Sequence, residues 1–116
     1  MSAYLEMLKR MKQEKEIFFK NYREIALEIK NFLSKILGDV RVFVFGSTVK
    51  GTWNVFSDID ILVVSENSPK DPMERAQIKK SILSKYNYNA PLEIHFATPE
   101  EFEKWYKRMI DVKIEI

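Results

Sequence analysis

The chain has no cysteine, one histidine and three glycines among its 116 residues. Without cysteine there can be no disulfides and no thiolate zinc sites, and one histidine offers little imidazole. Any bound metal is therefore expected to be a hard cation with oxygen ligands, with Mg²⁺ as the first choice. The sequence also lacks the run of about 18 apolar residues that crosses a membrane, and its charged start, MSAYLEMLKRMKQEKE, is unlike a signal peptide. We expect a soluble cytoplasmic protein that does not bind membranes.

Long blocks of one charge are missing as well. The net charge is +2 with 31% charged residues, and both signs alternate along the chain. This pattern does not indicate the basic patch or stripe that is typical of nucleic-acid-binding proteins. The length allows one hydrophobic core but not two, so we predict a single domain over residues 1–116.

The hydrophobic pattern predicts helices around a small sheet. Apolar residues spaced three and four apart from Phe18 to Ile36 indicate one core-facing stripe of a long N-terminal helix, which Gly38 ends. The alternating tail, 110–116, predicts an edge strand or a surface that pairs two copies into a homodimer, with an extension of the preceding helix as the alternative. The other predicted elements are strands at 40–45, 58–64 and 91–96 and helices at 72–85 and 99–108. This order predicts an α+β fold with a mixed sheet of three to four strands.

Two acids stand in an otherwise apolar strand. In the segment FGSTVKGTWNVFSDIDIL, Asp58 and Asp60 flank one isoleucine, so both project from the same side of a strand, about 7 Å apart. Two unpaired carboxylates at that distance repel each other, and a divalent cation between them relieves the repulsion. The alternative is that both lie on a solvated edge.

A possible phosphate site precedes the acids. Gly46 and Ser47 follow the predicted strand that ends at Phe45, where backbone amides at a helix start and a hydroxyl can hold phosphate oxygens. Lys50 lies one helical turn further and adds positive charge. The alternatives are an ordinary turn and a solvated lysine. Together with the acids, these residues describe a site for a metal-bound nucleoside triphosphate.

The same residues carry a family resemblance. Gly46 and Ser47, followed after ten residues by Asp58 and Asp60, resemble the signature of the DNA polymerase beta superfamily of nucleotidyltransferases. The likeness covers roughly residues 15–105, and the short chain is similar to the minimal, stand-alone branch that includes the MntA-like antitoxins. The resemblance implies a nucleotidyltransferase fold like the polymerase beta palm.

The resemblance also implies roles for individual residues. Gly46 and Ser47 would hold the triphosphate, and Asp58 and Asp60 would bind two Mg²⁺ ions, for which Mn²⁺ can substitute. A third acid on the next core strand would join one metal and help to activate the acceptor hydroxyl; Glu93 is the candidate there. Many members have aspartate at that place, and glutamate is one methylene longer. The alternation of its strand leaves open that Glu93 faces solvent.

The resemblance implies the reaction and the partner as well. A nucleoside monophosphate, expected to be AMP from ATP, would move to a hydroxyl acceptor. In the minimal branch the acceptor is commonly a neighbouring HEPN-domain RNase toxin, which the nucleotidyltransferase neutralises as antitoxin. One alternative is a non-catalytic nucleotide-binding module that neutralises its partner by stoichiometric binding. Another is transfer to a small acceptor or an RNA end, which the missing basic stripe disfavours.

Three other residues near the predicted site have two interpretations each. His95 shares the predicted face of Glu93 and can reach a metal or substrate, but a lone histidine beside a site is more often only a polar residue. Trp53 and Phe56, between the two motifs, can stack on a base, yet core packing is the commoner use of aromatics between strands. We predict no catalytic role for His95 and core packing for both aromatics.

Overall fold

Four strands and the helices around them make up the described part of the chain, residues 2–87 and 89–116, in this computed structural model. The strands are β1 (Arg41–Phe45), β2 (Ile59–Val64), β3 (Leu92–Ala97) and β4 (Lys113–Glu115). The helices are α1 (Ala3–Lys20), α2 (Tyr22–Leu37), α3 (Ser47–Lys50), α4 (Pro72–Leu83), α5 (Pro99–Glu101) and α6 (Lys107–Met109), with a π-helical stretch (Phe102–Tyr106) joining the last two. Within these residues, no helix combines the length and apolar character needed to cross a membrane.

The strands form one mixed sheet in the order β3-β2-β1-β4. β1 pairs antiparallel with β2 and β4, whereas β2 and β3 run parallel and are connected through α4. The predicted α+β fold with a small mixed sheet is confirmed. The tail forms the edge strand beside β1, so the alternative of a helix extension is wrong; pairing into a homodimer stays a prediction.

The predicted long N-terminal helix is divided at Asn21. The side-chain amide of Asn21 donates to the carbonyl of Ile17 at 2.8 Å, and such local bonds compete with the helical pattern. Beyond this break, α2 buries residues spaced four apart, including Ile29 and Leu33. The predicted core position of Ile36 is wrong, because this residue is 51% exposed: the buried residues continue in steps of four from Leu33 to Leu37.

Side-chain caps start two of the predicted helices. The Asp71 carboxylate accepts from the backbone amide of Met73 at 3.0 Å at the start of α4. At α5, the Thr98 hydroxyl and the Glu101 side chain bond each other's backbone amides in a capping box. Both starts agree with the predicted positions.

The two faces of the sheet are covered differently. The main core lies between one face and helices α2 and α4, with Ile29, Leu33 and Ile82 packed on the strands. The opposite face carries a smaller core at one end only, closed by the last helical stretch. Its buried members are Phe43, Leu62, Val64, Ala97, Phe102 and Ile110. The other end of this face carries polar side chains.

Candidate active site

Asp60 and Glu93 are direct neighbours on the sheet. Each is the second residue of its strand, and the parallel register pairs them with each other. Their side chains leave the main core because the flanking Ile59, Ile61 and Ile94 are buried within it. The Asp60 side chain is 25% exposed and that of Glu93 is 55% exposed. The predicted third acid is thus beside Asp60, on the surface where solvent and ligands have access.

His95 completes a group of three with these acids. Its Nε2 lies 3.7 Å from Oδ1 of Asp60 and 3.8 Å from Oε1 of Glu93, and the aromatic ring of Phe45 is 5.6 Å from the imidazole ring. One potential ligand atom from each of the three residues lies within 4.8 Å of the others. The sequence predicts that His95 shares the face of Glu93 but has no catalytic role; the structure brings its Nε2 atom close to both acids.

The surroundings of Asp60 disfavour its negative charge. Burial, followed by repulsion from the Glu93 carboxylate, raises the pKa of Asp60 above the ordinary aspartate value, and the His95 imidazole partly opposes this rise. Asp58 contributes the smallest increase to the pKa. The two carboxylates would therefore stabilise a bound cation, and the cation would relieve their repulsion.

Gly46 lies against the Asp60 side chain. Its backbone has φ +80°, and a Cβ added at this position would collide with Oδ2 of Asp60 and lie 3.3 Å from its Cγ. Both the left-handed backbone and the close approach require glycine. The end of β1 is thereby brought directly to the acid on β2.

Ser47 and Lys50 are the first and last residues of α3. Ser47 follows Gly46 directly and is partly buried. The Lys50 ammonium lies 3.1 Å from a carboxylate oxygen of Asp111, so Lys50 pairs with the segment before β4 in this structure. A role for Lys50 in phosphate binding would require it to leave Asp111.

Asp58 lies outside the group of three in the described structure. It directly precedes β2 instead of belonging to it, and it is exposed. The rule that residues two apart share a face applies within a strand, and Asp58 falls one residue short. Its contribution to the pKa of Asp60 still indicates that its charge acts on the site.

The loop that leads to Asp58 is anchored on α1. Trp53 stacks on Phe19 with ring centroids 4.4 Å apart, and the Lys15 ammonium donates to the carbonyl of Val55 at 2.6 Å. The prediction of core packing is confirmed for Trp53. It is wrong for Phe56, which is 73% exposed, because the anchored loop turns this ring outward.

The three residues of this group fit a divalent cation. Two carboxylates supply charged oxygen ligands, and the Nε2 atom of His95 is buried without a hydrogen-bond partner among the described residues. An orphaned buried nitrogen between two acids is costly unless it binds something. The donor set suits Mn²⁺ and, through its oxygens, Mg²⁺.

Comparisons with known proteins agree with this geometry. The family model described as a nucleotidyltransferase domain matches residues 26–114. Two curated relatives are assigned as protein adenylyltransferases: MntA of Haemophilus influenzae, 36% identical over 58 residues, and MJ1305 of Methanocaldococcus jannaschii, 31% identical over 55 residues. These matches cover 50% and 47% of this chain but only 49% and 37% of the relatives, so the aligned part spans half or less of their length.

Solved structures show the same fold. A crystal structure assigned as a nucleotidyltransferase, 26% identical, superposes with a TM-score of 0.60 over 83% of this chain and 98% of its own. A second, from Sulfolobus solfataricus, is 20% identical with a TM-score of 0.56, over 90% of this chain and 85% of its own. At this identity the second structure supports the fold alone.

Proposed function

We propose that this chain, which belongs to the nucleotidyltransferase domain family, transfers a nucleoside monophosphate from a nucleoside triphosphate to a hydroxyl group. The observation that carries the proposal is the pairing of Asp60 with Glu93 across two strands, with Gly46 against Asp60. Charged ligands for a cation and the turn at Gly46 are thereby next to each other. A divalent cation held here would neutralise charge on the phosphates and lower the pKa of the acceptor hydroxyl.

The residues have separate roles in this reaction. Asp60 and Glu93 hold the cation, while Gly46 and Ser47 bind the triphosphate through backbone amides and a hydroxyl. The acceptor oxygen forms a bond to the α-phosphorus as the bond to the bridging oxygen of the β-phosphate breaks, and pyrophosphate leaves. Glu93, the more exposed of the paired acids, takes the proton of the acceptor hydroxyl and passes it to water.

Asp58 and Lys50 have roles that need a change of partner or position. Asp58 is close enough to influence the charge of Asp60, and it would help to hold a second cation that accompanies the triphosphate. Lys50 would exchange Asp111 for a phosphate. The negative charge of the triphosphate favours both changes, because the triphosphate attracts the Lys50 ammonium and would bring a cation to Asp58.

We further propose AMP as the transferred group and a protein as the acceptor. The relatives assigned as protein adenylyltransferases support ATP as the donor. For the acceptor we propose a HEPN-type toxin, with this chain as its antitoxin. Exposed apolar side chains such as Tyr4, Trp105 and Met109 offer contact surface for a protein partner.

Label transfer tests the reaction. The protein is incubated with each nucleoside triphosphate labelled at the α-phosphate, with Mg²⁺ or Mn²⁺, and with a HEPN-domain protein or a cell lysate. We expect label on a protein acceptor from ATP and none when the label is on the γ-phosphate. Asp60→Asn should eliminate transfer, and Glu100→Gln, which neutralises an exposed acid paired with Lys104, should not.

The position of Asp58 favours one second candidate, a nucleotide-binding module without catalysis. Asp58 is exposed and outside the group of three, as expected if one metal ligand no longer has a function. The module would bind nucleotide and partner stoichiometrically. Nucleotide binding without any label transfer, to protein, RNA or small molecules, would establish it and exclude the enzyme.

A further inference from the structure

The proposed transfer reaction gives no role to one nitrogen of the acid group. Nε2 of His95 is buried, has no hydrogen-bond partner among residues 2–87 and 89–116, and lies between Asp60 and Glu93. The ring is fixed in this place by the tilted ring of Phe45 and by the strand, whose adjacent residues Ile94 and Phe96 are buried. A histidine placed in this way is either a cation that pairs with the two acids or a neutral ligand that shares a metal with them.

The distances favour the second arrangement. A charged imidazole bonded to a carboxylate closes to about 2.7–2.9 Å, whereas Nε2 is 3.7 Å and 3.8 Å from the two acids. Two atoms bound to one ion through bonds of about 2.1 Å can be up to about 4.2 Å apart. Both distances from His95 lie between these limits. Nε2 and the oxygen of either acid can therefore share one ion, whereas they are too far apart for a direct hydrogen bond.

We propose that His95 binds a divalent cation through Nε2 together with Asp60 and Glu93, so that this site has a mixed nitrogen and oxygen ligand set. Imidazole is a better ligand for transition metals than for Mg²⁺, which prefers oxygen. The site should therefore discriminate in favour of Mn²⁺ over Mg²⁺. The purpose of the ion rests on the proposed transferase function, but its ligands are tested by binding alone.

The single histidine of the chain makes the test specific. Tag-free protein is loaded with Mn²⁺ and its pulsed electron paramagnetic resonance spectrum is recorded, once with natural histidine and once with ¹⁵N-histidine. We expect a directly bonded imidazole nitrogen that changes from a ¹⁴N to a ¹⁵N coupling with the label. His95→Gln should remove the coupling and weaken Mn²⁺ binding at least about tenfold, with a smaller effect on Mg²⁺.

The competing arrangement predicts a different change in Mn²⁺ affinity when His95 is replaced. If His95 is a cation in the place of the metal, its replacement by glutamine leaves Mn²⁺ affinity unchanged or increases it, and no nitrogen coupling is seen. The absence of coupling in the loaded wild type overturns the proposal whatever the affinities. Circular dichroism and the melting temperature without metal check that His95→Gln is folded. A nitrogen coupling without label transfer would refute the transferase function and leave the ligand assignment intact.

Discussion

The two ends of one sheet face differ sharply in chemistry. At one end Phe43, Leu62 and Val64 are buried beneath Phe102. On β2, Asp60 lies two residues before Leu62, about 7 Å away. It is partly exposed and lies beside Glu93 and His95. The strands are continuous through both ends, so the backbone is not what distinguishes them.

The difference lies in what covers each end. The stretch from Pro99 to Met109 closes only the apolar end, and burial there stabilises the fold. At the open end a carboxylate pair is kept although burial and the repulsion from Glu93 raise the pKa of Asp60, which disfavours the charged form. The covered end thus provides stability, whereas the open end retains charges that are useful only when a ligand is bound.

The largest effect is expected at the open end, on activity and not on the folded structure. Asp60→Asn keeps the shape of the side chain but removes its charge, and a charged metal ligand contributes several kcal/mol to the transition state. We expect label transfer to fall about a thousandfold or more, with an unchanged circular dichroism spectrum. Loss of folded protein would instead show that Asp60 has a structural role and that the two ends do not differ as described.

The covered end should respond in the opposite way. Phe102 is buried and stacks on Phe43 with centroids 4.8 Å apart, so Phe102→Ala should reduce the free energy of unfolding by about 3–5 kcal/mol. Mn²⁺ affinity should remain within about twofold at temperatures where the variant is folded. Urea denaturation and metal titration check the two quantities. A large loss of metal affinity in the folded variant would show that the ends are coupled.

A smaller effect is expected where β1 meets the acids. Gly46→Ala places a Cβ against the Asp60 carboxylate and forces alanine into a backbone with φ +80°, at a cost of about 1–3 kcal/mol. Gly51→Ala is the control for a positive φ without the contact, because Gly51 has φ +74° with nothing within 4 Å of an added Cβ; its ψ is 19° and that of Gly46 is −157°, so the smaller backbone cost is expected at Gly51. Both variants should lose stability, but only Gly46→Ala should also weaken metal binding, about tenfold, by displacing Asp60. Equal metal affinity in the two variants would show that the contact between Gly46 and Asp60 does not affect metal binding.

Much of the site was predictable from local pattern. The alternation of strand residues correctly predicted that Ile59 and Ile61 face the core, and that Asp60 leaves it. The pairing of Asp60 with Glu93 was only an implication of family resemblance, because the register of parallel strands depends on the crossover through α4 and not on either strand alone.

Other features depended on contacts that no local pattern contains. Asp58 was predicted within the strand, but the anchored loop ends one residue later than expected. His95 was predicted to have no catalytic role because a lone histidine beside a site is more often only a polar residue, and only the folded sheet brings its nitrogen to both acids. The exposure of Phe56 and the break at Asn21 likewise follow from a loop anchor and a side-chain bond.

The smallest expected effect is the change in the stability of the protein when Asp60, at the open end, loses its charge. The native pKa of Asp60 is raised, so its charge costs stability at neutral pH, and the cost disappears when the pH falls below the range in which an unfolded aspartate titrates. Without metal, Asp60→Asn should therefore stabilise the protein at pH 7 by about 0.2–1 kcal/mol, the scale of a single charge pair across neighbouring strands. Urea denaturation in EDTA from pH 7 to pH 3 should show this gain shrinking as the pH falls, whereas added Mn²⁺ should stabilise the wild type and not the variant. A variant less stable than the wild type at pH 7 without metal would mean that Asp60 supports the fold as the apolar end does.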